Sequence, residues 1–277
     1  LVKKLQKTHV ILDANEFVLR LSGGELKENE VSLTFDDGLK SQSKVAVPVL
    51  ETLGITAFFF INTGPLTGRP DNFEFFRYIK NGLYDDIETF YENFFRLTQE
   101  LYPLQYQKLE QMFRADYLSH LRFYSENDRR FKFIRDEILS SIQYRTLLLE
   151  LADRSEFELP KPDQLWMTRS EITNLSMGEH VIGLHSHSHS AQINTMTYEE
   201  QLSDYSQNLE ILQPLSKTPI YSVSYPLGRF NEDTLRVMRE LDISLGYRNS
   251  TYPKEFSNYS TLTMSRTDSA IARRVLQ

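Results

Sequence analysis

Residues 31–38 read Val-Ser-Leu-Thr-Phe-Asp-Asp-Gly, and the fold class follows from this stretch and from the next apolar run. Its first five residues alternate apolar and polar side chains, which predicts a β-strand ending at the Asp-Asp-Gly turn. Residues 57–61 (AFFFI) are apolar throughout, which is typical of a strand buried on both faces. Two such strands in succession indicate a parallel sheet.

A predicted helix separates these strands, and the same alternation returns later in the chain. Residues 44–53 have helical apolar spacing, and Gly54 follows them as a predicted C-cap. Strands predicted at 181–184 and 220–225 alternate with further predicted helices. This order predicts a (β/α) barrel or partial barrel, with functional residues at the carboxyl ends of its strands.

The segment between the two halves of this pattern has a different character. Residues 72–158 contain a single glycine, Gly82, and repeat aromatic and charged residues at helical spacing. We therefore predict a helical insertion over 72–158 in a barrel formed by residues 1–62 and 160–277. The aromatic residues of this insertion are expected to form its core rather than a sugar platform.

The composition excludes several classes of function. The chain has 277 residues and a net charge of -7, so we expect no nucleic-acid partner. It has no cysteine, which excludes disulfides, thiol nucleophiles and cysteine-ligated metals. The apolar run at 57–61 is far shorter than the roughly 18 residues of a membrane span, so no transmembrane segment is predicted.

Half of the six histidines lie in one motif, residues 185–189 (HSHSH), directly after a predicted apolar strand. In a helical turn, the i, i+4 spacing would place His185 and His189 on one face, where they can share a metal. Two histidines and one carboxylate are a common catalytic zinc site. The adjacent carboxylates of Asp36 and Asp37 can supply a ligand and a base.

A third unusual segment, residues 224–229 (SYPLGR), also follows a predicted strand. Backbone amides at such a strand end can bind an oxyanion, and a Tyr–Pro pair can shape a pocket. An ordinary Pro–Gly turn is the alternative interpretation of this segment.

Together the three motifs resemble the polysaccharide deacetylase family, also called the NodB-homology family or carbohydrate esterase family 4. The matching segments are 34–38 (TFDDG), 185–189 (HSHSH) and Tyr225-Pro226 with Gly228. The resemblance implies a distorted (β/α)7 barrel. It is closest to a bacterial branch with a helical insertion at this point, associated with surface-polysaccharide or lipopolysaccharide O-antigen biosynthesis.

By this resemblance, Asp36 is the catalytic base, and Asp37, His185 and His189 bind a divalent metal. Zinc is expected, with cobalt and nickel as alternatives. The implied reaction is hydrolysis of an N-acetyl group on a sugar of a bacterial surface polysaccharide or its precursor, with metal-bound water as the nucleophile. The resemblance assigns the oxyanion to the backbone amide of Tyr225.

The chain departs from the family pattern in its third motif. The family usually has an arginine two residues before the proline, and that arginine holds the base; here Ser224 stands two residues before Pro226. We expect Arg266, after a late predicted strand, to orient Asp36 instead. Pro226 and Gly228 are expected to contact the substrate.

The second departure concerns the general acid. Family members commonly end with a Leu-x-His motif that supplies it, yet no histidine follows His189. His9 is the early candidate, and its strand-like context favours a structural role. The chain begins without a methionine or a signal peptide, so we expect a trimmed chain whose acid lies upstream of Leu1.

Two alternatives remain open at this stage. A catalytically impaired barrel could bind glycan or a protein partner, or the same metal site could hydrolyse another small amide such as that of a nucleotide sugar. The four residues of the proposed metal and base site favour an enzyme with an acetylated sugar or polysaccharide as substrate. With no signal peptide in view, cytoplasmic action on a precursor is expected. The sequence predicts no oligomeric state.

Overall fold

The computed structural model of the protein divides the chain into two compact units. It describes residues 1–69, 72–119, 124–249 and 260–275. The first unit comprises Leu1–Asp71 and Pro162–Gln277, and the second comprises Asn72–Lys161. The second unit thus interrupts the first along the chain, at the place where the sequence predicts an insertion over 72–158.

The first unit is built on a parallel sheet. Its described strands are β1 (Val10–Ile11), β2 (Glu30–Val31), β3 (Thr34–Phe35), β4 (Phe58–Ile61), β5 (Val181–Leu184), β6 (Ser222–Ser224), β7 (Leu245–Asn249) and β8 (Met264–Arg266). Strands β3 to β8 are parallel neighbours in chain order, and β1 pairs in parallel with β2. Successive βα units produce this order. The sheet curls into a half-barrel, which confirms the predicted distorted (β/α) barrel.

Helices connect these strands and form the second unit. The described helices are α1 (Val2–Leu5), α2 (Ala14–Gly23), α3 (Val47–Leu53), α4 (Asn72–Gly82), α5 (Ile87–Leu101), α6 (Pro103–Met112), α7 (Glu126–Phe133), α8 (Ser141–Arg154), α9 (Pro162–Leu165), α10 (Arg169–Met177), α11 (Tyr198–Leu212), α12 (Glu232–Glu240) and α13 (Ser269–Val275). Thr168, Thr197 and Asn231 begin α10, α11 and α12 with capping boxes. None of these described helices is long and apolar enough to cross a bilayer.

The central strand β4 shows how this unit is packed. Phe58 and Phe60 lie in one apolar cluster with Phe17 and Tyr247, on one face of the sheet. Phe59 and Ile61 lie in the other cluster, which includes residues of the helices. All four residues of β4 are buried, as the AFFFI run predicts. Because side chains alternate along a strand, this run supplies apolar groups to both faces.

The second unit has its own aromatic core. Helices α5, α7 and α8 pack together through a cluster that includes Phe90, Phe94 and Phe131, whose ring centroids lie 4.9–5.8 Å apart. Capping boxes at Ser125 and Ser140 begin α7 and α8. The predicted use of these aromatic residues as core is therefore observed.

Gly183 in β5 gives a test of the close packing inside the half-barrel. A Cβ there would lie 2.4 Å from Cδ1 of Phe60 and 2.7 Å from Oγ of Ser222. We expect Gly183→Ala to lower the free energy of unfolding by about 1–3 kcal/mol, because the Phe60 ring is fixed by its neighbours. Urea denaturation followed by circular dichroism measures this.

Gly23→Ala is the matched control. Its Cβ would meet only the Glu25 side chain, at 3.6 Å, so stability should be unchanged or slightly higher. Equal stability of the two variants would contradict the packing described for β5.

Candidate metal centre and catalytic base

The two adjacent carboxylates stand directly after β3, where the backbone takes an unusual course. Asp37 and Gly38 have φ values of 76° and 64°, so two consecutive residues lie in the left-handed region. A Cβ on Gly38 would lie 2.9 Å from Cγ2 of Ile61, and glycine is therefore required. The turn allows Asp36 and Asp37 to reach different partners.

The histidine motif follows β5 and forms a loop rather than a helical turn. Residues 185–189 are a loop, with Ser186 and His189 in the left-handed region at φ 59° and 49°. The rings of His185 and His189 nevertheless meet, with centroids 5.0 Å apart. The left-handed residues of the loop, rather than helical periodicity, therefore bring the two rings together.

His185, His189 and Asp37 converge on one point. Nε2 of each histidine lies 3.2 Å from Oδ1 of Asp37, and one ligand atom from each residue lies within 4.8 Å of the others. Burial disfavours the Asp37 carboxylate, but the two imidazoles outweigh this and hold the pKa of Asp37 well below its usual range. Positive charge is therefore favoured between these three groups.

The hydrogen bond of the His185 ring bears on whether a metal would fit this site. Its Nδ1 lies 2.7 Å from the backbone oxygen of Ser224, which can only accept a hydrogen bond. In the neutral imidazole, Nε2 then has a lone pair directed at the equally electron-rich oxygen of Asp37. A divalent cation held by these residues would remove the conflict, and two imidazoles with one carboxylate are a donor set that fits zinc.

Asp36 is clamped by an arginine from the opposite edge of the sheet. Nη1 of Arg266 donates to Oδ1 of Asp36 and Nη2 donates to Oδ2, both at 2.7 Å. Burial raises the pKa of Asp36, whereas the charges of His185 and Arg266 lower it, and the net effect is a lowered pKa. The bidentate pair fixes the orientation of the carboxylate and keeps it ionised.

Ser224 occupies the position where the resemblance led us to expect an arginine. Its hydroxyl donates to Oδ2 of Asp36 at 3.2 Å and accepts from Nη2 of Arg266 at 2.8 Å. Arg266 also donates to Oγ1 of Thr34 at 3.2 Å. The small side chain of Ser224 therefore completes a clamp whose guanidinium comes from β8.

The assignment of the oxyanion donor to Tyr225 requires correction. The backbone N–H of Tyr225 donates to the backbone oxygen of Tyr247 at 3.0 Å, so the sheet already uses this donor. The next residue, Pro226, has no N–H. Leu227 follows, is half exposed with φ 54°, and its N–H makes no hydrogen bond to the described residues. Leu227 is thus the available donor at this strand end.

Pro226 and Gly228 have structural explanations in this strand end. Pro226 is buried. Gly228 has φ 71°, and a Cβ there would lie 3.0 Å from the backbone N and O of Asn249. Close packing against the end of β7 accounts for the glycine at position 228. Contact of Pro226 and Gly228 with the substrate stays a prediction.

The hydrogen bond that the structure gives for the His9 ring is with its neighbour in sequence and not with the histidine motif. Its Nδ1 lies 2.8 Å from Oγ1 of Thr8. His9 lines a cavity of about 820 Å³ that Thr34 and Arg266 also line, on the strand edges β3 and β8.

Comparison with known proteins identifies the family. A family model described as polysaccharide deacetylase matches residues 23–82 and 162–246, a little over half of the chain. The chain belongs to this family. The matched segments contain Asp36, Asp37 and the whole 185–189 loop, whereas Arg266 lies outside them. A search of curated proteins finds no match to the sequence.

Solved structures share the fold at low sequence identity. The deacetylase PplD of Streptococcus pyogenes, in complex with acetate, is 15% identical, with a TM-score of 0.50 over 95% of this chain and 76% of that one. A de-N-acetylase from Aggregatibacter actinomycetemcomitans is 11% identical, with a TM-score of 0.53 over 98% and 85% of the two chains. IcaB from Ammonifex degensii is 15% identical, with a TM-score of 0.52 over 99% and 84%. These likenesses support the deacetylase barrel fold.

The Arg266 clamp predicts a change in the pH dependence of activity. Without the guanidinium, burial raises the pKa of Asp36, so the carboxylate is protonated at higher pH and the acidic limb of the rate profile moves upward. We expect Arg266→Ala to lose roughly 10²-fold or more in kcat/KM, as for other positioned catalytic groups. Lysine keeps the positive charge but cannot form two parallel hydrogen bonds, so kcat/KM of Arg266→Lys should lie between the values for wild type and Arg266→Ala.

Rates of acetate release from pH 4 to pH 9, with the metal content of each variant, measure this effect. Arg236→Lys, on the exposed side of α12, is the control and should behave as wild type. An unchanged acidic limb in Arg266→Ala would mean that Arg266 does not hold Asp36.

Proposed function

We propose that this chain is a metal-dependent hydrolase that removes N-acetyl groups from a sugar of a bacterial surface polysaccharide or its precursor. The observation that supports this best is the Asp37, His185 and His189 triad beside the clamped carboxylate of Asp36. Membership of the polysaccharide deacetylase family supports the substrate class. The de-N-acetylase among the similar structures agrees with an N-acetyl group.

The metal would be held by Asp37 and by Nε2 of His185 and His189, with zinc expected ahead of cobalt or nickel. When bound, a divalent metal polarises the acetyl carbonyl and lowers the pKa of water. The hydrogen bond from Nδ1 of His185 to Ser224 fixes the tautomer that binds metal through Nε2.

The chain's own residues then act on the proton and on the developing charge. Asp36 is ionised at neutral pH and accepts a proton from the attacking water, since its Oδ1 retains acceptor capacity beyond its bond to Arg266, whereas Oδ2 accepts from both Arg266 and Ser224. We propose that the N–H of Leu227 donates to the acetyl oxygen as negative charge develops there. The water oxygen bonds to the acetyl carbon, the C–N bond breaks, and the proton that Asp36 took is returned to the leaving nitrogen, so that water and amide become acetate and a free amine.

The clamp weighs against a catalytically impaired barrel. That alternative drew support from the missing arginine of the third motif, and Arg266 now occupies the expected place beside Asp36. Hydrolysis of a different small amide keeps the same metal site, and a panel of acyl substrates separates it from sugar deacetylation. Cytoplasmic action and a role in O-antigen assembly stay predictions from the sequence.

Metal content is the first test. Protein purified without added metal should contain about one equivalent of a divalent transition metal, and His189→Ala should lose it, because two remaining ligands bind weakly. Elemental analysis of both proteins measures this.

His9→Ala is the matched control and should keep its metal, since His9 makes no contact with the triad among the described residues. Wild-type protein that binds no metal even after addition of zinc would overturn the proposal.

Removal of the base tests the chemistry separately from the metal. We expect Asp36→Asn to retain metal but to lose 10²–10⁴-fold in acetate release from N-acetylated oligosaccharides, the usual range for a general base. The control is Asp163→Asn, an exposed position in α9. Wild-type activity in Asp36→Asn would remove Asp36 from the mechanism.

A further inference from the structure

Helix α11 holds the histidine loop through two polar side chains, one turn apart. Asn208 is fully buried and its Oδ1 accepts from the backbone N–H of His185 at 3.0 Å. Its Nδ2 donates to the backbone oxygen of Ile61 and to Oγ1 of Thr63, both at 3.0 Å. One amide group therefore joins the carboxyl end of β4 to the first metal-binding residue after β5.

Asp204 holds the middle of the same loop. Its Oδ2 accepts from the backbone N–H of His187 at 2.8 Å, and its Oδ1 accepts from that of Ser188 at 2.9 Å. Asp204 and Asn208 are four residues apart in α11, so both point from one face of the helix. Three of the five amides in residues 185–189 thus donate to this face.

The loop needs such partners because its backbone is not helical. The left-handed residues Ser186 and His189 exclude the usual i to i−4 hydrogen bonds, so the amides of the buried residues 185–187 need partners from elsewhere in the fold. Two other contacts also restrain the loop: Oγ of Ser186 accepts from the N–H of His189 at 2.9 Å, and the backbone oxygen of His187 accepts from the N–H of Gly64 at 2.9 Å. The contacts from α11 hold the backbone at His185, His187 and Ser188, and they therefore contribute to the direction in which the loop presents its imidazoles.

We propose that Asp204 and Asn208 are positioning residues for the metal centre: they set the loop conformation in which His185 and His189 face Asp37. This inference rests on the proposed function. Neither side chain contacts a ligand atom in the described structure, so each acts through the backbone of the loop. Groups that orient ligands in this way commonly change metal affinity 10–100-fold when removed.

The test measures zinc affinity by competition with a chelator, and the visible absorption of the cobalt-loaded protein, in variants shown to be folded by circular dichroism. We expect Asp204→Ala and Asn208→Leu to bind zinc 10–100-fold more weakly and to shift the cobalt bands. The zinc affinity of Asp204→Asn should lie between those of wild type and Asp204→Ala, since the single amide oxygen can accept from only one of the two backbone amides. Glu210→Gln, exposed in the same helix, is the control and should match wild type.

A purely structural role would lower the melting temperature while leaving metal affinity and the cobalt spectrum unchanged, and that result would overturn the positioning role. If Asp204→Ala does not fold, Asp204→Asn decides, and wild-type affinity in that variant counts against the inference. If wild type binds zinc and the Asp204 and Asn208 variants bind it equally tightly, only this inference is refuted. Absence of metal from wild type refutes the proposed function as well.

Discussion

The bidentate pair between Arg266 and Asp36 is the interaction on which the site depends. Strands β3 and β8 are the two edges of the six-stranded sheet, and no backbone pairing joins them in the described residues. The guanidinium links these edges by donating hydrogen bonds to Asp36 and Thr34, and it also donates to Oγ of Ser224 in β6. A partly buried bidentate pair has narrow geometry, so the curvature of the sheet and the orientation of the Asp36 carboxylate are set together.

Backbone strain is concentrated around this pair. Of the eight non-glycine residues with positive φ in the described chain, four lie at the strand ends of the site: Asp37, Ser186, His189 and Leu227. Each such conformation costs about 1–3 kcal/mol and persists only where surrounding contacts impose it. The turn at Asp37 is held by the packing of Gly38 against Ile61. The loop with Ser186 and His189 is held by backbone amides that donate to side chains of α11. The rigid barrel thereby maintains loop conformations that a free chain would not adopt.

Sequence patterns predicted more of the scaffold than of the loop geometry. The apolar and polar alternation of residues 31–35 located β3, and the continuous apolar run at 57–61 located β4, because these signals arise from neighbours within a few residues. The i, i+4 spacing indicated that His185 and His189 could share a metal, but spacing does not reveal the left-handed residues of this loop. The donor assigned to Tyr225 was wrong because the pairing of β6 with β7 decides which amides are free. Asp204 and Asn208 escaped notice as polar residues of an amphipathic helix, although Asn208 belongs to the buried stripe with Tyr205 and Leu212.

The sequence by itself determined the residue types of the site, its family and the order of its strands. These depend on motifs and on local periodicity, which are properties of short segments. Only the tertiary structure decided that Arg266 replaces the arginine absent at Ser224, that two histidines on a reversed loop meet Asp37, and that α11 supports that loop. Each of these contacts joins residues far apart in the chain. Their geometry is set by the curl of the sheet, which brings distant strand ends together.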